Sequence, residues 1–247
     1  MLDIWHIFPA AMGENQAWIS YNHGYSEIAE EDPRNNVVRV ELQFKDPTDY
    51  GMPTNEEYLQ LSKIDEKLEK KFAELGGVYV GRVTVDGHRF FYFYLNTDEK
   101  KAAKIISDVS AEFSYRLQHV YERDIEKSYY WEQLYPTVDD WQVIQDLKVL
   151  NSLSEHGDIK DKKREVMHWA YFPIDTECEK FSEWAKSESY VVHSACENVE
   201  KSEFRTKYSH VGTMNLGDIT SHTIRSNRKA RELGGRYDGW ETSVERE

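Results

Sequence analysis

Cysteine is nearly missing from this chain of 247 residues: Cys178 and Cys196 are the only two. Two thiols cannot build a disulfide framework or a four-thiolate zinc site, and both read as small apolar core residues. Long apolar runs are missing as well. No window approaches the roughly 18 apolar residues of a membrane span, and the start Met1-Leu2-Asp3-Ile4 has neither the basic residues nor the apolar stretch of a secretory signal. A cytoplasmic protein is expected. Positive charge is in deficit, with Lys+Arg 31 against Asp+Glu 45 and a formal charge of −14, which opposes nonspecific attraction to phosphate backbones or anionic membranes. The imbalance is uneven: residues 1–150 hold 27 acids and 16 bases, and residues 151–247 hold 18 and 15. Catalytic signatures are absent too: there is no His-Glu-x-x-His, no phosphate-binding Gly-x-x-x-x-Gly-Lys-Ser and no serine elbow. What is present suffices for folded cores, 39% hydrophobic and 13% aromatic residues, over a length that suits two domains.

Gln16 to Asn22 and Val37 to Phe44 are rich in β-branched and aromatic residues and read as strands. Thr54 then opens a helix in a capping-box pattern with Glu57, and Tyr58, Leu61, Leu68, Phe72 and Leu75 form its apolar stripe up to Gly76-Gly77. Val78 to Val85 and His88 to Leu95 flank Asp86-Gly87, the dipeptide of a tight hairpin; Arg82, His88 and Arg89 read as exposed hairpin residues. A second helix with Ala102, Ile106, Val109 and Phe113 inward precedes a strand over Tyr115 to Tyr121. The order β-β-α-β-β-α-β is a ferredoxin-like domain with one extra leading strand. Pro136 is the expected boundary, dividing the chain into residues 1–135 and 136–247.

Thr137 and Asp140 can cap a helix carrying Trp141, Ile144, Leu147 and Leu150. A strand over Glu165 to Pro173, a helix with Cys178, Phe181 and Ala185 inward, strands at Tyr190 to His193 and Glu203 to Tyr208, a helix opened by Asp218 with Ile219, Ala230 and Leu233 inward, and a last strand in the stretch Gly234 to Val244 follow. This half is again β-α-β-β-α-β, so the fold class is α+β with two ferredoxin-like domains. The last strand, Tyr237-Asp238-Gly239-Trp240-Glu241-Thr242, is the segment no fold requirement dictates. Gly239 marks a bulge, a close approach by another group, or with Asp238 a local kink. Strict alternation sends Tyr237 and Glu241 to one face and Asp238, Trp240 and Val244 to the other; Trp240 and Val244 are expected to pack against the helices, with Tyr237 facing outward.

Gly157-Asp158, Arg164 to Pro173, Tyr190 and the closing Tyr237-Asp238-Gly239-Trp240-Glu241-Thr242 resemble the RraB family, regulators of ribonuclease E activity, over about residues 137–245. The resemblance implies a ferredoxin-like domain that binds an endoribonuclease and inhibits it without chemistry of its own. Enterobacterial members of that family end in a long acidic tail, where this sequence reads Val244-Glu245-Arg246-Glu247. Glu14 to Ile19, Gly51 to Thr54 and Val80 to Thr84 are similar to domain of unknown function 695, over about residues 5–135; that likeness implies an architecture and no activity.

The expected function is therefore a noncatalytic regulator binding another protein, an RNA-processing endoribonuclease by the resemblance, through Tyr237, Asp238, Gly239, Trp240, Glu241 and His168. Aromatic anchors are the residues that carry interface energy. Two alternatives stand beside it: a small hydrolase or metal-dependent enzyme built on His168, Asp238 and Glu241, because a histidine beside carboxylates can move protons or hold a metal, and an immunity-like intracellular binder. No cofactor, no resident metal and no direct nucleic-acid contact is expected. Nothing in the sequence sets an oligomeric state.

Overall fold

The computed structural model describes residues 3–199 and 203–246; Met1 and Leu2, at the start read above for a signal, lie outside that range. The chain separates into two compact units, residues 1–140 and 141–247, each with its own antiparallel sheet.

In the first unit β1 (Trp5–Met12), β2 (Asn15–Asn22), β3 (Asn36–Gln43), β4 (Val78–Val85), β5 (His88–Leu95) and β6 (Leu117–Arg123) form a six-stranded sheet in the order β1-β2-β4-β5-β3-β6. Its last four positions are the ferredoxin-like order, with α1 (Asn55–Glu74) and α2 (Glu99–Phe113) as the crossovers. The leading strand expected over Gln16 to Asn22 is present as β2, and it has a partner that the sequence reading missed. That partner, β1, contains Pro9, which cannot donate to a ladder and therefore weakens the strand signal; β1 is the sheet edge, where proline is tolerated. The Asp86-Gly87 hairpin turns with φ of 48° and 73°, the positive dihedrals of a two-residue turn.

One face of this sheet packs on α1 and α2 through Val38, Val40, Leu61, Leu68, Phe72, Phe91 and Phe93. Each such buried side chain contributes about 1.5–3 kcal/mol. Tyr58 lies off the expected stripe, exposed at 48%, because Leu61, Ile64, Leu68 and Phe72 set the helix's buried line. Thr54 caps the helix by accepting from the Glu57 amide at 3.3 Å. The Glu57 carboxylate does not close the box; it accepts from the amides of Lys45 (2.7 Å) and Asp46 (3.3 Å) and from the Tyr115 hydroxyl (3.0 Å), pinning the loop after β3. Arg82 and Arg89 are not exposed hairpin residues: Arg82 pairs with Asp65 of α1, and Arg89 is buried beside Thr84.

Tyrosines line the other side. Tyr25 stacks on Tyr94 at 5.7 Å, and Tyr130, from the short α3 (Ser128–Gln133), meets Tyr25 edge-on at 4.9 Å. Tyr25 donates to Asp32 and Tyr94 to Asp124, both at 2.6 Å, and the Asp124 carboxylate also accepts the Ser128 and Tyr129 amides at the start of α3.

In the second unit β7 (Arg164–Phe172), β8 (Val191–Val199), β9 (Glu203–Gly212) and β10 (Arg236–Thr242) run in the order β10-β7-β9-β8, with α5 (Asp175–Ser187) and α6 (Leu216–Glu232) as crossovers. This is the complete ferredoxin-like order, preceded by α4 (Val138–Glu155). Thr137 and Asp140 cap α4 reciprocally, each accepting the other's amide at 3.2 and 2.9 Å. The inward face of α4 is turned from the expected stripe: Gln142, Val143, Ile144, Asp146 and Leu153 are buried, while Trp141, Leu147 and Leu150 are half-buried. The turn delivers the Asp146 carboxylate to the core.

Candidate functional site

The closing strand β10 pairs with β7, Tyr237 opposite Ala170, Gly239 opposite Trp169 and Trp240 opposite His168, so Asp238 is an extra residue in a bulge. Gly239 has φ of 120° with open space where a side chain would begin, a conformation that glycine alone adopts without strain. The bulge inverts the alternation beyond it. Tyr237 and Trp240 therefore both point toward the helices, which corrects the outward placement expected for Tyr237. Val244, expected to pack beside Trp240, is 39% exposed instead.

Trp240 sits in an apolar cluster with Leu153, Val166, Met214 and Ile219. Its indole donates to Asp146 Oδ1 at 2.9 Å, and the same carboxylate accepts from Gln142 Nε2 at 2.9 Å and Thr223 Oγ1 at 2.5 Å. Burial raises the Asp146 carboxyl above its ordinary value, opposed by these three hydrogen bonds. Tyr237 closes a second polar chain. Its hydroxyl lies 2.7 Å from His168 Nδ1, His168 Nε2 lies 2.8 Å from His210 Nδ1, and the His210 ring stacks on His222 of α6 at 3.6 Å. Tyr190 bonds His222 Nδ1 at 2.8 Å. Burial lowers all three imidazoles; neighbouring histidines add to the effect on His168, and His210 is brought down to about 4. They are neutral structural groups at neutral pH.

A buried ion pair ties the ends of the unit together. Arg164 grips Asp158 with both terminal guanidinium nitrogens, Nη1 and Nη2, and also donates to the carbonyls of Ser243 and Ile159, each at 3.1 Å, while the Glu245 amide donates to Asp158 at 2.8 Å. The Arg164 hydrogen bonds hold the Asp158 carboxyl below the ordinary carboxylate range.

The outward face of the same sheet is different in kind. Alternation places Met167, Trp169 and Tyr171 of β7, Arg205 and Lys207 of β9, and Arg236 and Glu241 of β10 there. Trp169 and Tyr171 are half-buried, Lys207 lies over the Trp169 ring at 5.6 Å, and Arg236 lies over Tyr171 at 4.2 Å. Asp238 and Glu241 are exposed, and Asp238 pairs with Arg236. The constellation of His168, Asp238 and Glu241 considered for catalysis or metal binding is thus not assembled: His168 lies beneath the sheet, and Glu241 sits opposite Met167 on its other face. Among the described residues no group of three or more His, Cys, Asp or Glu side chains is placed to hold a metal ion. The histidine chain escaped sequence reading because His168, His210 and His222 meet only through the β7–β9 register and the packing of α6.

Residues 3–135 match the family of unknown function DUF695, more than half the chain, and residues 143–242 match RraB, regulator of ribonuclease activity B. The chain belongs to the DUF695 family and carries an RraB domain. Its RraB unit is therefore related to regulators, and the Tyr-Asp-Gly-Trp strand lies within the match. No curated protein matches the sequence. Two solved structures are similar: an unknown protein from Galdieria sulphuraria, at 9% identity and TM-score 0.24 over 85% of this chain and 99% of that one, and a putative glycine cleavage system transcriptional repressor, at 8% identity and TM-score 0.24 over 85% and 98%. At those scores neither likeness bears on the fold, which rests on strand order. Among the described residues no helix is long and apolar enough to cross a membrane.

Proposed function

We propose that this DUF695–RraB chain is a noncatalytic, cytoplasmic regulator that binds an RNA-processing endoribonuclease through the RraB unit, within a functional division at residues 1–135 and 136–247. The observation that carries the reading is the RraB match over residues 143–242. The geometry supports it in a second way. The acid–base groups of the closing strand and its neighbours are spent on structure, Asp146 on Trp240 and His168 on Tyr237, whereas the opposite sheet face presents an aromatic centre with a charged rim, the anatomy of a protein interface. Docking falls to Asp238 and Glu241 with Trp169, Tyr171 and Met167. Tyr237, Trp240 and His168 shape the strand from beneath, and Gly239 carries its bulge. Affinity capture from the native cell extract tests the reading: the full chain should recover an endoribonuclease in near-stoichiometric yield, and Trp169→Ala should weaken recovery by the roughly 2 kcal/mol of a hot spot. Capture that yields no nuclease contradicts the assignment.

A further inference from the structure

The two cysteines of the chain lie on different elements of the RraB unit, Cys178 on α5 and Cys196 on β8. The fold brings them to one spot. Cys196 Sγ lies 3.9 Å from the Asp175 carbonyl oxygen and 3.9 Å from Ser182 Oγ, and Cys178 stands between those two residues on the same face of α5, at the i, i+3, i+7 spacing of one helical stripe. Cys178 meets the same polar pair: its Sγ lies 3.1 Å from Thr206 Oγ1, which lies 2.7 Å from Ser182 Oγ. Thr206 of β9 faces the irregular stretch of β8 between Ser194 and Glu197, so strand register and helix face agree in pointing Cys196 at Cys178, and both side chains pack in one apolar cluster. Their surroundings differ. Cys178 is buried and Cys196 half-buried, and Cys196 has φ of 51°, a left-handed conformation in a residue with a Cβ, the kind of strain that gathers at functional positions.

We propose that Cys178 and Cys196 are a redox-active pair that closes to an intramolecular disulfide by exchange with a low-molecular-weight disulfide of the glutathione type, tying the outer strand β8 to α5. The more accessible Cys196 thiolate attacks one sulfur of glutathione disulfide, whose S–S bond breaks and releases one glutathione thiolate. The Cys178 thiolate then attacks the Cys196 sulfur of the mixed disulfide and displaces the second glutathione. Two protein thiols are oxidised, one glutathione disulfide is reduced to two thiols, and the two protons pass to the glutathione thiolates. Burial, and then the neighbouring Cys196, push the Cys178 thiol up to about 12, so the closing step is limited by a small thiolate fraction and quickens as pH rises. In the cytoplasm proposed above, a single pair of this kind serves as a redox sensor rather than a structural staple. The inference goes beyond the regulatory reading and does not use the identity of a partner, so the two can fail separately.

The test equilibrates the full chain with mixtures of reduced and oxidised glutathione, quenches with acid, and maps the thiols by alkylation and mass spectrometry. A Cys178–Cys196 crosslink should form within the monomer and be reversed by reduced glutathione, with an effective concentration about tenfold or more above that of the same chain unfolded in urea. Its closing step should quicken by about tenfold per pH unit through the neutral range. Cys178→Ala should stop at a stable glutathione adduct on Cys196, and Cys196→Ala should take up no glutathione, because Cys178 is buried; thermal melts confirm that each variant is folded. Crosslinks between chains alone, a persistent glutathione adduct on Cys196 in the unaltered chain, equal effective concentrations in the folded and unfolded chain, or two free thiols at the fully oxidised end of the series overturns the proposal.

Discussion

Replacing Asp146 by alanine removes the single acceptor that three buried donors share. Trp240 Nε1 has no substitute among Leu153, Val166, Met214 and Ile219, and a buried donor left unpaired costs about 1–3 kcal/mol. The other two recover in part, since Gln142 lies close to the surface at 8% exposure and the Thr223 hydroxyl also lies 3.5 Å from the Thr220 carbonyl. A total of about 2–4 kcal/mol follows, a large share of a typical folding free energy of roughly 5–15 kcal/mol. Asp146→Asn behaves differently. Trp240 and Gln142 both donate to Oδ1, which asparagine keeps, and its amide can donate to the Thr223 oxygen. The sign of the charge effect favours the substitution. A carboxyl raised above its unfolded value stabilises the fold only while protonated, so its ionisation is a cost at pH 7, and asparagine carries none. Asp146→Asn should therefore cost less than about 1 kcal/mol. Amide hydrogen exchange in β7 and β10 measures both: protection should fall about 30-fold or more in the alanine variant and less than about 5-fold in the asparagine variant, at 1.36 kcal/mol per tenfold. Equal losses in the two variants, or an alanine loss below about 3-fold, refute the placement of Asp146.

Acid should destabilise the RraB unit in two stages. Its buried His168 and His210 and half-buried His222 are depressed in the folded state, so their contribution is complete above the unfolded value of about 6.5 and is lost as pH falls toward the His210 value of about 4; Asp158, also depressed, adds a loss below about pH 4. Denaturant midpoints that stay flat from pH 7 to 4 contradict this. Arg164→Met leaves Asp158 buried without its partner and should cost about 3–5 kcal/mol, read as early exchange or proteolysis of residues 243–246; unchanged protection there contradicts the clamp. Gly239→Ala, at φ of 120°, should lower stability by about 1–3 kcal/mol in a thermal melt, and an unshifted melt means that β10 carries no bulge.

Much of the fold was legible in residue order alone. Asp86-Gly87 between two apolar alternations is a strong hairpin signal, and right-handed crossovers prune the two βαββαβ orders to a handful of arrangements, the ferredoxin-like one among them. Departures have local causes. Pro9 hid an edge strand, the Asp238 bulge put Tyr237 and Trp240 on one face, and Asp146 turned α4 away from its most apolar stripe. The buried Tyr237–His168–His210 chain could not be read from spacing, because its members meet across β10, β7 and β9. The aromatic sheet face was within reach of the sequence, since Met167, Trp169 and Tyr171 alternate along β7.

The most direct measurement is the rate of RNA cleavage by the captured endoribonuclease with and without the full chain at saturating concentration. A noncatalytic inhibitor should slow cleavage in proportion to complex formed and leave the RNA intact when added alone; an unchanged rate in the saturated complex, or cleavage by the chain itself, contradicts the proposed function.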